Sequence, residues 1–290
     1  MKKNIITIFT PTYNRKKTLE RLYNSLVNQN YDKFEWLIID DGSTDNSGNL
    51  IKKIKKENKI KITYIYKENG GKMSAVNMAH KICETEYMMT IDSDDMIADN
   101  FLKKIEKDLN NITKNADIAG IVYLTAKQNN SKELIGTKLP PNGTICKFYE
   151  IYDKYNCKGD KCIVWKTKIL KQYYYPIIKG EKFIADAYLM NEISKKYKVM
   201  TINTVGTLVE YQEDGYSANY FELVKKNPLG NMLYFRQLYD IKKSLYNVYG
   251  YILFGIYGNV KFSKILKEHP NKFLILIMYI PVWIISIIRK

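Results

Sequence analysis

Two kinds of apolar pattern alternate through residues 1–130, and this rhythm constrains the fold more than any other feature of the chain. NIITIFT (4–10), EWLIID (35–40), KITYIY (61–66) and EYMMTID (86–92) are β-rich runs that read as strands. Between the first two, RKKTLERLYNSLVNQ (15–29) sets Leu19, Leu22, Leu26 and Val27 on one helical face. KMSAVNMAHKICE, opened by the Gly70-Gly71 turn, is a second helix ahead of the fourth strand. Strand and helix in alternation predict an α/β fold whose parallel sheet is covered on both faces. Such sheets bind ligands beyond the carboxyl ends of their strands. The segments that matter are therefore TPTYNR, DDGSTDNS, KENGGK and DSDD.

Later the pattern turns α+β: KCIVWKTKIL (161–170), a helix-like FIADAYLMNEISKKY (183–197) and KVMTINTVGTLVEYQ (198–212). Past Tyr220 come helical stretches rich in Tyr and Lys, ending in KFLILIMYIPVWIISIIRK (272–290). Two regions are expected: a domain over 1–220 and a helical, basic and apolar region over 221–290. Phe273 to Ile288 carries no charge, with Lys272 before it and Arg289-Lys290 after it. A spanning helix needs about 20 apolar residues, and Pro281 interrupts this one. The segment is expected to enter or lie against a bilayer, with a buried core helix as the alternative.

A formal net charge of +16, from 46 Lys+Arg against 30 Asp+Glu, calls for anionic partners. The basic residues are dispersed and no DNA- or RNA-reading motif occurs, which argues against nucleic acid and leaves phosphorylated small molecules or an acidic membrane surface. Cys83, Cys146, Cys157 and Cys162 form no C-x-x-C pair, and neither His80 nor His269 stands at zinc-finger spacing. They read as free thiols in a reducing cytoplasm. The N-terminal apolar run stops at Thr10-Pro11, too short for the core of a signal peptide.

Asp92 and Asp94, two apart behind the fourth strand, can share one side of the chain. Two carboxylates facing one cavity call for a cation, and oxygen ligands suit Mg2+ or Mn2+ bridging to phosphate. An Asp-rich loop taken alone equally fits a solvated helix start. Asp41 is placed to accept from the imide N–H of a uracil, and Tyr13 to stack on a base. Lys72, behind two glycines at a helix opening, favours a diphosphate. Gly42 permits a tight turn before Ser43 or Thr44 caps the next helix, with Asp45 supporting the helix start.

TPTYNR (10–15), IIDDGSTDNS (38–47), NGGKMSAVNMA (69–79) and YMMTIDSDD (87–95), in this order and spacing, resemble glycosyltransferase family 2, the inverting GT-A sugar transferases. The resemblance is strong to about Thr125 and loose over the next 90 residues. It implies a GT-A fold and a nucleotide-sugar donor, most often UDP-linked. The donor-binding candidates are Thr10, Pro11, Tyr13, Arg15, Asp41, Lys72, Asp92 and Ser93, and the metal candidates are Asp92 and Asp94.

An inverting transfer also needs a base for the acceptor hydroxyl. The family places that carboxylate at a helix start roughly a hundred residues after its D-x-D motif, often in a Glu-Asp pair. Here KGEKFIADAYLMNEI offers Glu181 and Asp186 instead, and Asp186 is favoured because it heads the run Ala187, Leu189, Met190, Ile193. A simple helix cap is the alternative role. YQEDGYSAN (211–219) resembles the family's late donor-site loop without the histidine some members carry, and KGDKC (158–162) reads either as acceptor-side or as a surface turn. The expected protein is a metal-dependent transferase on the cytoplasmic face of the cell membrane, adding sugar to a lipid-linked or growing glycan in surface-polysaccharide assembly. Two other classes compete: a nucleotidyltransferase, which would show a glycine-rich basic signature loop that TPTYNR is not, and a non-catalytic basic membrane-surface binder.

Overall fold

The structure is a computed structural model that describes residues 5–210 and 219–288. In chain order its first elements are β1 (Ile6–Thr12), α1 (Lys16–Val27), β2 (Phe34–Asp40), α2 (Ser47–Lys56), β3 (Ile62–Tyr66), α3 (Lys72–Ile82) and β4 (Tyr87–Thr90). There follow β5 (Met96–Ile97), α4 (Phe101–Thr113), β6 (Ile118–Lys127), β7 (Asn130–Leu134), β8 (Thr144–Cys146), α5 (Glu150–Asp153), β9 (Lys161–Lys166) and α6 (Thr167–Leu170). The remainder are α7 (Ala187–Lys196), β10 (Lys198–Val209), α8 (Tyr220–Lys226), α9 (Pro228–Ile241), α10 (Leu245–Tyr257), α11 (Phe262–Glu268) and α12 (Lys272–Ile288). By packing the chain forms two compact units, one of Met1–Tyr174 with Leu189–Gln212, the other of Tyr175–Tyr188 with Glu213–Lys290.

All the strands among the described residues lie in the first unit, in one mixed sheet ordered β3-β2-β1-β4-β9-β6-β10-β5, with β7 on β6 and β8 on β10. The strands β1 to β4 are parallel, as their alternation with helices requires. β9 runs antiparallel between β4 and β6. Their apolar faces meet those of the helices: Leu19, Leu22 and Leu26 of α1, Ile51 and Ile54 of α2, and Phe101, Ile105 and Leu109 of α4 join one buried cluster with Ile6, Ile8, Trp36 and Ile38. Trp36 stacks on Tyr23, and its indole N–H donates to Thr10 Oγ1 at 2.9 Å, so this buried ring keeps no orphan donor.

The chain runs from β1 outward through β2 to β3, then returns to place β4 on the other side of β1. The carboxyl ends of β1 and β4 therefore flank a topological switch point, where open α/β sheets form a crevice. β1 pairs with β2 as far as Thr12 opposite Asp40, but with β4 only as far as Phe9 opposite Thr90. The Phe9 carbonyl faces β4, accepting from Ile91 N, and the Thr12 carbonyl faces β2, accepting from Asp41 N. Alternation then turns the nitrogen of Pro11 toward β4, past the last pair, where a residue without an N–H is tolerated. Pro11 is thus strand rather than loop, and the loop opens at Tyr13.

In the second unit α9, α10, α11 and α12 pack around Met232, Val248, Tyr251, Ile252, Ile265, Ile275 and Val282. No helix among the described residues is long and apolar enough to cross a membrane. All four cysteines are free thiols, and all four are buried.

Candidate active site

The four carboxyl-end loops are tied to one another by side chains. Asn14, in the left-handed region at φ 52°, turns the chain after β1. Its N–H donates to Ser43 Oγ at 2.9 Å, and its Oδ1 accepts from Thr44 N at 2.8 Å. Asp45 accepts from Lys16 N at 3.0 Å and from the N–H and hydroxyl of Ser47, so one carboxylate serves the first turns of α1 and α2 together. Burial opposes its charge, but these hydrogen bonds outweigh that and hold its pKa below the usual value. Ser43 and Thr44 instead link the first loop to the second, and Asn46 occupies the residue before α2.

Asp40 and Asp41 are both buried. Asp40 accepts from Ser43 N and Tyr64 OH. Asp41 accepts from Gly71 N at 2.7 Å on one oxygen, and from Gly70 N at 3.0 Å and Lys67 Nζ at 2.5 Å on the other. The Asp41 carboxylate thereby fastens the Gly-Gly turn to the end of β2. Gly71 has φ 86°, a conformation side chains rarely adopt, and this aims its N–H at Asp41 as α3 begins. Lys67 was not singled out by the sequence, although it stands in KENGGK; its ammonium also reaches Ser74 Oγ and the Glu68 carbonyl.

Asp92 and Asp94 lie in a turn beyond the end of β4, closed by Asp95 N donating to the Asp92 carbonyl at 3.1 Å. Lys72, at the first position of α3, pairs with Asp92 at 2.9 Å. Burial, then the neighbouring Asp92 charge, raises the pKa of Asp94, and the charges of Arg15 and Lys72 act on it in the opposite sense. Asp95 is pushed up to about 9 by burial and by the charges of Asp92 and Asp94. Three carboxyl groups with one paired lysine among them favour an arriving cation. Two carboxylates in one turn fit Mg2+ or Mn2+ that takes its other oxygens from a diphosphate and water. Among the described residues no three His, Cys, Asp or Glu side chains converge as a complete cage.

The remaining sequence candidates also end at this crevice. Tyr13 is 50% exposed and available for stacking. Thr10 and Ser93 are buried, and the Thr10 hydroxyl is spent on Trp36. The Thr12 hydroxyl, also at the end of β1, is buried without a hydrogen-bond partner, an orphan that a donor ligand can satisfy. Arg21 of α1 donates to the Asp94 carbonyl at 3.1 Å and pairs with Glu210. β9 begins at Lys161, and its last pair with β4 sets Val164 opposite Met89. The charge of Asp160, just before β9, acts on Asp95.

In the second unit Asp186 immediately precedes α7, and its carbonyl accepts from Tyr175 OH at 3.0 Å. Glu181 accepts from Leu229 N and Gly230 N, both at 2.7 Å, in the first turn of α9. The late loop over 211–218 lies outside the described residues.

The chain belongs to glycosyl transferase family 2, whose sequence pattern matches residues 7–172. Its mixed sheet and flanking helices form a GT-A fold, resembling TarS 1–349 of S. aureus solved in complex with UDP-GlcNAc, with a TM-score of 0.62 and 18% identity over 96% of this chain and 89% of that one. The glycosyltransferase GlyA of Streptococcus pneumoniae is 32% identical over 201 residues, 65% of this chain and 28% of that protein. An uncharacterized glycosyltransferase of Haemophilus influenzae is 26% identical over 266 residues, 90% of this chain and 98% of that protein. The chain spans 37% and 28% of the lengths of the two pneumococcal relatives GlyG and GlyA.

Proposed function

We propose that this chain is an inverting transferase that moves a sugar from a UDP-linked donor to a lipid-linked or growing glycan, in surface-polysaccharide synthesis at the cytoplasmic face of the cell membrane. The observation that carries the proposal is the convergence, at the switch point beside β1, of the Gly-Gly opening of α3, the Lys72–Asp92 pair and Asp94. A helix N-terminus beside a lysine favours a diphosphate, and the carboxylates favour its counterion. The TarS structure with UDP-GlcNAc supports a donor of this class.

Under this reading Pro11, Tyr13 and Asp41 surround the nucleoside, with Thr10, Arg15 and Ser93 completing the donor site. Lys72 would bind the diphosphate, and Asp92 and Asp94 would hold the divalent ion. A bound Mg2+ or Mn2+ would offset charge on the departing UDP. Asp186 accepts the proton of the acceptor hydroxyl. The test is thermal denaturation with Mn2+ against a panel of nucleotide sugars, since binding to the native state raises Tm. UDP-sugars should raise it, and metal-dependent release of UDP should follow with the same donors. No Tm rise and no UDP release with any nucleotide sugar would refute the proposal.

Asp41 yields a separate expectation, because it already holds three donors. Asp41→Ala should weaken binding of uridine and of UDP alike, with or without metal. Calorimetric titration with uridine checks this; equal affinities for wild type and variant would confine Asp41 to fastening the Gly70-Gly71 turn.

A further inference from the structure

Helix α12 is apolar on two opposite faces. Ile275 and Val282 are buried in the cluster that includes Val248, Tyr251 and Ile252 of α10, and Ser286 is buried on the same side. Opposite them Phe273, Ile277, Ile280, Trp283, Ile284 and Ile288 are exposed, from 48% at Trp283 to 78% at Ile288. At about 100° per residue these six fall in an arc roughly 140° wide, centred away from the buried set. No polar side chain interrupts that arc. Water is a poor neighbour for an unbroken apolar strip of this length, which marks an interaction surface.

Charge identifies what covers it. Lys261, Lys264 and Lys267 are exposed along α11 and Lys272 is exposed at the start of α12. Phe262 packs on Tyr279 with ring centroids 4.5 Å apart, which holds the basic helix at the flank of the apolar strip. An apolar strip beside a row of lysines matches the boundary between acyl chains and anionic headgroups. A crossing orientation is disfavoured by length: 17 residues of helix reach about 26 Å, against a hydrocarbon core of roughly 30 Å. It would also strip Ile275 and Val282 from their packing against α10.

We infer that α12 docks the second unit on an anionic phospholipid surface as an in-plane helix, its exposed strip in the acyl boundary and the α11 lysines among the headgroups. The docking is independent of the sugar chemistry.

Trp283 supplies the probe, because Trp36 and Trp165 are buried. The full chain is mixed with vesicles of phosphatidylcholine alone, or of phosphatidylcholine and phosphatidylglycerol in equal parts. On the anionic vesicles Trp emission should shift to the blue and the chain should co-sediment, with binding weakened by salt. The double variant Ile280→Glu/Ile284→Glu alters only exposed side chains and should keep its circular dichroism while partitioning at least about tenfold more weakly. Sedimentation of the double variant equal to wild type overturns the inference, as does wild-type emission that anionic vesicles leave unchanged. A lipid-free dimer that covers Trp283 and persists with vesicles would assign the strip to a second copy of the chain, and would overturn it too. The docking rests on the membrane-face part of the proposed function; no readout uses donor or acceptor, so failure here removes that part and leaves the sugar transfer to its own test.

Discussion

Asp94→Ala should lose metal-dependent donor binding and lower sugar transfer by roughly 10²-fold or more, the scale seen when one preorganised electrostatic contact is removed. Asp92 has a partner without any ion, in Lys72. Asp94 stands in a different position, because burial and the Asp92 charge both work against its ionisation. A divalent ion reverses that balance by favouring both carboxylates in charged form. Calorimetric titration with Mn2+ and UDP should therefore show no metal enhancement in the variant, while metal-free uridine still binds. The same argument predicts the sign of a stability change. Burial and the Asp92 charge both oppose a charged Asp94, so its removal relieves the metal-free protein, and Tm without metal should hold or rise. Manganese-dependent UDP binding that survives in Asp94→Ala would remove Asp94 from the ion site.

The first half of the fold was legible because each element there buries a regular face. Leu19, Leu22 and Leu26 announce a helix by spacing, and the uninterrupted burial of β1 follows from its place inside a parallel sheet. β9 was less legible. Its run of apolar residues fits a strand of either direction, and only pairing with β4 and β6, distant in sequence, makes it antiparallel. The consequence reaches the site, since the charge of Asp160, just before β9, acts on Asp95. Lys67 and Arg21 were missed for another reason. A lysine at a strand end and an arginine within a charged helix look like solvated residues, and nothing local reveals that one reaches Asp41 and the other the Asp94 carbonyl. The tail was read as bilayer-bound or core, and α12 presents a core face and an exposed apolar face on one helix. Hydropathy without a polar face cannot separate these two uses of apolar side chains.

The choice between Asp186 and Glu181 as the base can be made by separating rate from stability. Pro228 begins α9 and has no N–H, so Leu229 and Gly230 are the first donors there, and Glu181 accepts from both. With both oxygens committed to a helix start, Glu181 is suited to hold the segment that leads to Asp186. Glu181→Gln keeps one acceptor oxygen and turns a donor toward the other N–H. Unfolding free energy should fall by about 1–2 kcal/mol, with turnover per folded molecule close to wild type. Asp186→Asn should do the reverse. Loss of a general base lowers rate by roughly 10²- to 10⁴-fold and leaves ground-state binding mostly intact, so UDP-sugar affinity and Tm should match wild type while transfer nearly stops. Single-turnover transfer and thermal denaturation of both variants place each residue on one of these two axes. Should Glu181→Gln keep its Tm and lose the chemical step while Asp186→Asn turns over normally, the base is Glu181 and Asp186 only precedes the helix.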